Sequence, residues 1–439
     1  MNSLLKIFQI PDLRRKLFFM LGLLVVYRMG TFVTIPGIDS AQINRLISQI
    51  QSESEGIGRV MGLANMFSGG AISNAAVFSL GIMPYITASI LFQILTSVFP
   101  ELKKMQKEGE SGRRKINQYT RYATLALCAF QGFMICKFLQ SPIGGINLVS
   151  DPGPVFMLVG VVSLMAGTMI VMWLGEMITE FGIGQGISVI IMAGIVADLP
   201  KGIWSLFEQV EDSGGVSYMT IIFLVSFFFV MLVTIIYMTL GQRRIPIEQN
   251  RRSAMGKAWG GQKKYLPLRV NQAGVIPIIF AQSLIMFPAL LGNIEMFSFM
   301  KDWFAPGQVV YTLLFVTLIV FFTFFYTALV FNPQEMAENM KQGGTFIPGI
   351  RQGNETQKEL NDILTSITVV GATMLAIIAI IPQFLSNSFQ VNHQLAGMFG
   401  GTGLLIVVGV ALDLIQKIEG HMMSYNFDSL LQSTQFGKN

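Results

Sequence analysis

Few side chains in this sequence of 439 residues could bind a metal ion or form a disulfide. Its two cysteines, Cys128 and Cys136, lie eight residues apart on one predicted helix. The corresponding rise of about 12 Å exceeds the Cα separation of about 7 Å that a disulfide can bridge. The two histidines, His393 and His421, have no Cys or His nearby at metal-ligand spacing. We therefore predict buried thiols that pack as small apolar groups, and neither a metal site nor a cofactor.

Ionisable side chains are also scarce within the long apolar stretches of the sequence. A proton- or ion-coupled transporter needs such groups at membrane depth, because they carry the coupling ion. The exceptions here are Arg28, Asp413, and Arg121 and Lys137 at the two ends of one stretch. We expect Arg28 to pair with another group or to reach the interface. A solute transporter stays as an alternative, but the sparse charge, with no HExxH motif and no Ser/His couple, favours a passive channel over a pump or an enzyme.

The elements that must position these residues are membrane helices. Hydrophobic residues make up 52% of the chain and charged residues only 13%, compared with about 25% in a typical soluble protein. A helix needs about 20 mainly apolar residues to cross the hydrocarbon layer. The sequence therefore predicts an all-α polytopic membrane protein with ten transmembrane helices. The ten apolar stretches lie near residues 17–37, 77–99, 119–139, 155–175, 182–199, 216–240, 271–291, 308–331, 362–381 and 396–416.

The connections between these stretches differ strongly in their Lys and Arg content. With a cytoplasmic N-terminus, the cytoplasmic segments hold 24 of these residues and the opposite segments hold 5. Because positively charged connections stay on the cytoplasmic side, we predict that both termini are cytoplasmic. The loops at 241–270 and 332–361 are then cytoplasmic too. They are longer than a helix connection needs, so we favour a docking surface for a large anionic partner over a topology signal alone.

Two further features have more than one interpretation. Residues 63–76 (LANMFSGGAISNAA) are moderately apolar but too short to cross a membrane, so they form either a re-entrant segment leading into a pore or a turn on the surface. Isoleucines also recur at helical spacing, as at Ile82 and Ile86 and at Ile187 and Ile191. Periodicity alone predicts ordinary packing or lipid-facing surface for these residues.

Five long sequence strings resemble the SecY family, the central channel subunits of the general protein-export translocon. The resemblance extends in order over essentially the whole chain, and the strings that carry it are NMFSGGAISNAAVFSLGIMPYITASI (65–90), KEGESGRRKINQYTRYATL (107–125), VNQAGVIPIIFAQS (270–283), FNPQEMAENMKQGGTFIPGIR (331–351) and FGGTGLLIVVGVALD (399–413). The resemblance implies two pseudo-symmetric five-helix halves, 1–215 and 216–439, around a central pore with a re-entrant plug at 63–76. It also implies a lateral gate between the second predicted span and the seventh and eighth.

The resemblance further assigns individual residues to the channel. The pore ring corresponds to Ile82, Ile86, Ile187, Ile191, Ile279 and Ile406. The plug includes Asn65, Met66, Phe67, Ser68, Gly69, Gly70, Ala71 and Ile72. Lateral-gate positions are Gln93, Gln185 and Asn271, and partner-docking positions are Arg243, Arg244, Arg251, Arg252 and Arg351. Two departures from the family pattern are Asn74, where many relatives carry Arg, and Gln185, where many carry Asn.

The function implied by the resemblance is that of a protein-conducting channel and not an enzyme. Such a channel moves unfolded preproteins across the membrane and releases transmembrane segments sideways into lipid. The sequence lacks a P-loop, since GRRK at 112–115 does not fit that pattern, so energy must come from a partner. Implied partners are SecE-like and SecG-like subunits, the SecA motor ATPase, the ribosome with its RNA, signal sequences, nascent polypeptides and a YidC-type insertase. The implied location is the cell inner membrane, with a plastid thylakoid as the alternative.

Overall fold

Helices make up most of the protein, and each of the ten predicted spans coincides with one of them. The computed structural model describes residues 10–39, 65–66, 68–140, 148–149, 151–211, 218–249, 264–291, 308–389 and 401–436. The helices are α1 (Pro11–Gly30), α2 (Met83–Val98), α3 (Pro100–Lys107), α4 (Glu110–Gln140), α5 (Pro154–Phe181), α6 (Gly186–Glu211), α7 (Tyr218–Leu240), α8 (Ile276–Leu291), α9 (Val309–Val330), α10 (Pro333–Gln342), α11 (Asn354–Phe389) and α12 (Thr402–Phe436).

Length and composition identify most of the membrane spans directly. Within the described residues, six helices are long and apolar enough to cross a membrane, or seven if α2 and α3, which meet at 101°, form one broken span. The other helices at predicted positions are α1, α8 and α12. Helix α8 has only 16 residues, whereas α1 and α12 carry charged side chains next to their apolar stretches. The chain is thus an all-α polytopic membrane protein.

Proline starts several of these helices. It occupies one of the first two helical positions in α1, α2, α3, α5 and α10. Its fixed φ angle suits the first turn, where a missing N–H leaves no intrahelical hydrogen bond unmade. In α10 the Asn332 side chain also accepts a hydrogen bond from the Gln334 N–H, which caps the helix. These local signals explain why the helices begin where they do.

The helices pack in two groups that meet along two lines. One group consists of α1, α2, α4, α5 and α6, and the other of α7, α8, α9, α11 and α12. Between the groups, α2 packs against α8 and α6 packs against α12. We call these the α2–α8 seam and the α6–α12 seam. They are the main contacts between the two groups among the described helices.

A small β-sheet, which the sequence analysis did not predict, joins the loops at 241–270 and 332–361. Its strands are β1 (Gln242–Gln249), β2 (Lys264–Arg269) and β3 (Thr345–Phe346), in the order β2-β1-β3. Both pairings are antiparallel, and β1 pairs with β3 through Glu248 opposite Phe346. Below the sheet lies a separate apolar core formed by Ile245, Leu268, Ile347, Leu360, Ile363, Leu364 and Ile367. The two loops therefore form one structural unit.

Candidate functional site

The segment at residues 65–76 is buried inside the helices and does not lie on the surface. Of its residues that the structure describes, Met66 is 2% exposed and Ala71 is fully buried. Asn65 organises the segment, because its backbone carbonyl accepts from the Gly70 N–H at 2.9 Å and its side-chain oxygen accepts from the Ser73 N–H at 2.9 Å. The re-entrant interpretation is therefore favoured over a surface turn. Phe67 lies outside the described residues.

Two glycines allow the segment to approach helix α6 closely. Gly69 and Gly70 have φ angles of +64° and +84°, a region that favours glycine. A Cβ atom on Gly69 would lie 3.0 Å from the Cα atom of Gly194 and 3.0 Å from the hydroxyl oxygen of Tyr27. A larger residue at position 69 would therefore push the segment away from both α1 and α6.

Helix α1 and the residues after it form hydrogen bonds with the segment. The Tyr27 hydroxyl donates to the Ser68 carbonyl at 3.1 Å, and the Arg28 guanidinium donates to the Gly69 carbonyl at 2.5 Å. At the other end, the Asn74 side-chain amide donates to the Thr31 carbonyl at 3.0 Å. Asn74, which the sequence analysis named as a departure from the family pattern, thus makes a direct hydrogen bond here. These contacts fix the segment at both ends.

A charged pair also lies against the segment. Arg28 Nη2 is 3.9 Å from Asp198 Oδ1, and the guanidinium carbon is 5.2 Å from the centre of the Phe32 ring. The expectation that Arg28 pairs with another group is confirmed. The sequence analysis missed Asp198, which is 4% exposed, because it lies near the end of the stretch at 182–199. An acidic residue inside a predicted span, one position before its end, is the signal that could have identified it.

The six predicted ring isoleucines all belong to, or pack against, one large apolar cluster. Five are buried within it, and Ile187 is partly buried against it. Their helices are those of the two seams: α2 and α8 form one seam, and α6 and α12 form the other. The five buried members are Ile82, Ile86, Ile191, Ile279 and Ile406. The arrangement places apolar, β-branched side chains where the two helix groups meet.

The predicted lateral-gate residues lie near both seams and make local hydrogen bonds. In α2, the Gln93 amide donates to the Ser89 hydroxyl at 3.4 Å, and its side-chain oxygen is buried without a hydrogen-bond partner. Asn271, before α8, donates to the Gly274 carbonyl at 3.1 Å. Gln185 is exposed before α6 and accepts from Ser188 at 3.3 Å. Gln93 thus belongs to one helix of the α2–α8 seam and Asn271 precedes the other, whereas Gln185 directly precedes α6.

The predicted docking arginines that the structure describes are exposed around the β-sheet. Arg243 and Arg244 lie on β1. Arg351 lies in the turn between β3 and α11, where its carbonyl accepts a hydrogen bond from the Thr356 hydroxyl at 2.8 Å. The pairing of β1 with β3 brings the two loops together, which sequence spacing could not show. Arg251 and Arg252 lie outside the described residues.

In the described ranges, no group of three or more His, Cys, Asp or Glu side chains could hold a metal ion. Cys128 and Cys136 are both buried as free thiols, and Cys136 belongs to an apolar core with Ile35 and Leu164. What the described residues form instead is an apolar cluster shared by the two helix groups, to which Met66 and Ala71 of the buried segment also belong.

Comparison with known proteins agrees with this geometry. A family model described as SecY matches residues 76–415. The chain is 45% identical over 428 residues to the protein translocase subunit SecY of Escherichia coli strain K12, covering 96% of this chain and 94% of that protein. A solved structure of a protein-conducting channel has a TM-score of 0.67 and 16% identity, covering 94% and 93%. Sec61 in the canine ribosome-channel complex from the endoplasmic reticulum has a TM-score of 0.61 and 16% identity, also covering 94% and 93%.

Proposed function

This chain belongs to the SecY family, and we propose that it forms the protein-conducting channel of a translocase. The observation that carries this proposal is the identity of 45% to a protein translocase subunit over nearly the whole of both chains. The chain is therefore a channel subunit and not an enzyme. Its described interior supports this role, because an apolar cluster between two helix groups, with a buried segment packed against it, suits a channel that must stay closed when idle.

In the proposed mechanism, the two helix groups are the halves 1–215 and 216–439 of a channel. An arriving signal sequence separates α2 from α8, and the buried segment at 65–76 leaves the pore. The unfolded preprotein then passes through the ring of six isoleucines, whose apolar side chains fit around it. Transmembrane segments leave through the open α2–α8 seam into lipid. Gln93 lies on one helix of this seam and Asn271 precedes the other, and the buried Gln93 oxygen without a hydrogen-bond partner lowers the stability of its closed surroundings.

The energy for transport comes from partners that dock on the cytoplasmic side. We assign docking of the ribosome and of a SecA-type motor to the surface of the β-sheet, where Arg243, Arg244 and Arg351 are exposed. Its positive charge complements ribosomal RNA and acidic protein surfaces. Arg251 and Arg252 extend the same loop. SecE-like and SecG-like subunits, and a YidC-type insertase, complete the proposed assembly.

The proposed orientation has both termini in the cytoplasm of a bacterial cell, with the chain in the inner membrane. The excess of Lys and Arg in the predicted cytoplasmic connections supports this orientation. The sequence relatives from bacteria support the inner membrane over a thylakoid. Labelling of a single cysteine introduced at Lys257 by an impermeant thiol reagent tests the topology. We expect labelling only after permeabilisation, and labelling in intact cells would contradict it.

Transport is tested by purifying the full chain with the subunits that accompany it and reconstituting it into proteoliposomes. With a SecA-type motor and ATP, a preprotein with a signal sequence should become protected from added protease. The control is the same preprotein without its signal sequence, which should stay accessible. If protection is no greater than with empty liposomes, the chain does not conduct protein under these conditions and the proposal fails.

The docking surface is tested by charge reversal on β1. Changing Arg243 and Arg244 to Glu should weaken ribosome binding by about tenfold or more and flatten its dependence on salt, because fewer phosphates are neutralised. The matched control is reversal of Lys103 and Lys104, two exposed cations on α3. Arg351→Glu should reduce motor-driven transport more than ribosome binding. Equal effects of the β1 and α3 variants would show that only net charge matters.

A further inference from the structure

Two ionisable side chains from different helices meet beside the buried segment. Arg28 belongs to α1 and Asp198 to α6, with 29% and 6% of their side chains exposed. Their charged atoms lie 3.9 Å apart. Removing two charges from water costs free energy, so an ionised pair in such an apolar setting is weak evidence for a purely stabilising role. The position of the pair suggests a role that concerns the segment.

The pair contacts the backbone of the segment directly. Arg28 donates to the Gly69 carbonyl with one guanidinium nitrogen, while the other faces Asp198. A Cβ atom on Gly70 would lie 3.2 Å from Asp198 Oδ1, so the carboxylate rests against the bare backbone. Gly194, four residues before Asp198 on α6, packs against Gly69. Gly69 and Gly70 of the segment therefore lie between α1 and α6.

One face of α6 connects this contact with the isoleucine cluster. Ile187, Ile191, Gly194 and Asp198 are spaced by four, three and four residues, which places them on the same side of the helix. Ile191 is 1% exposed within the large apolar cluster. A movement of α6 relative to α1 would therefore change the isoleucine layer and the charged pair together.

We propose that Arg28 and Asp198 form a latch that holds residues 68–70 in the closed channel and must break before the segment can leave. This inference rests on the proposed channel function and assigns a gating device to it. Both are positioning residues, which act through the segment and do not touch the transported chain. With the segment in place, the Arg28 cation faces a carbonyl and a carboxylate. Removing either side chain leaves the other charge in an apolar setting without its oppositely charged partner.

The latch is tested by recording the potassium chloride conductance of idle channels in planar bilayers. The protein is the full chain with its accompanying subunits. Asp198→Asn and Arg28→Gln should each raise the fraction of time open by about tenfold, a shift that follows from losing a partly buried charge pair. The double variant should leak no more than the leakier single variant, because the Arg28–Asp198 interaction is already absent from each single variant.

A matched control uses an ion pair that does not touch the segment. Arg121 on α4 and Glu176 on α5 form two hydrogen bonds of 3.1 and 2.6 Å. Arg121→Gln and Glu176→Gln should leave the idle conductance unchanged. Arg28→Lys keeps the cation but lacks the planar fork that reaches two acceptors, so it should leak to an intermediate degree. This variant also keeps the test decisive if Asp198→Asn does not accumulate.

A channel lacking residues 65–73 separates a latch from simple helix packing. In that background Asp198→Asn should add no leak, because the segment on which the pair acts is gone. The proposal would be overturned if Asp198→Asn raised the idle conductance of the channel that lacks the segment. It would also be overturned if Asp198→Asn left the idle conductance of the intact channel at the wild-type level. Both measurements are made on preparations whose wild-type chain transports a preprotein. Failure of the wild type to transport would instead contradict the proposed function.

Discussion

The buried segment at 65–76 and the isoleucines share one apolar cluster, but the segment has additional contacts of another kind. These are directional hydrogen bonds, including Tyr27 to Ser68, Arg28 to Gly69 and Asn74 to Thr31. The isoleucines make apolar contacts, which have no preferred direction and scale with the buried area. Directional contacts are either made or broken, whereas apolar contacts can form again around a passing chain. The difference suggests that the segment acts as a switch and the isoleucines as a deformable seal.

The largest effect should follow from removing the apolar character of the seal. Changing Ile82, Ile86, Ile187 and Ile191 together to Ser removes apolar contacts worth about 2 kcal/mol for each fully buried side chain. The constriction should then become wet and conduct ions steadily in planar bilayers, while preprotein transport is retained.

The control for this variant replaces four isoleucines that are exposed on the helices, and it should not leak. The control positions are Ile170, Ile222, Ile377 and Ile415. If the buried and exposed variants conduct equally, the isoleucines merely pack and the contrast with the segment disappears.

A smaller effect should follow from wedging the segment away from α6. A Cβ atom at position 194 would lie 3.1 Å from the Gly69 Cα atom, so Gly194→Ala should displace the segment and produce brief, intermittent openings. Gly22→Ala on α1 is the control, because a Cβ atom there meets nothing within 4 Å. Both Gly→Ala changes favour the helical state by up to about 1 kcal/mol. The two variants therefore differ only in whether the new Cβ atom meets the Gly69 backbone. Indistinguishable single-channel records would argue against close packing at Gly69.

The smallest effect is expected at the far end of the segment. Asn74→Ala removes the hydrogen bond to the Thr31 carbonyl, a loss of about 1 kcal/mol. Idle openings should become a few times more frequent, fewer than after Asp198→Asn. Single-channel counting compares the two variants under the same salt. A larger leak from Asn74→Ala than from Asp198→Asn would place the main fastening of the segment at Thr31, contrary to the latch.

Local sequence determined the helices of this protein. All ten predicted spans coincide with helices, because a run of about 20 apolar residues has few alternatives in a membrane, where backbone groups must be satisfied within the segment. The resemblance to the SecY family also pointed to the isoleucines and the plug. Periodicity by itself could not, since the chain contains many other apolar residues at the same spacing.

Tertiary structure alone decided how distant segments meet. The pairing of β1 with β3 joins two loops that the sequence separates by several helices, and β3 is only two residues long, too short to leave a pattern. Asp198 was likewise an unremarkable residue at the end of an apolar run until folding placed it beside Arg28. Local patterns report which groups avoid water and where a helix starts. The partner of a charge or of a strand depends on the packing of the whole chain, which no local pattern encodes.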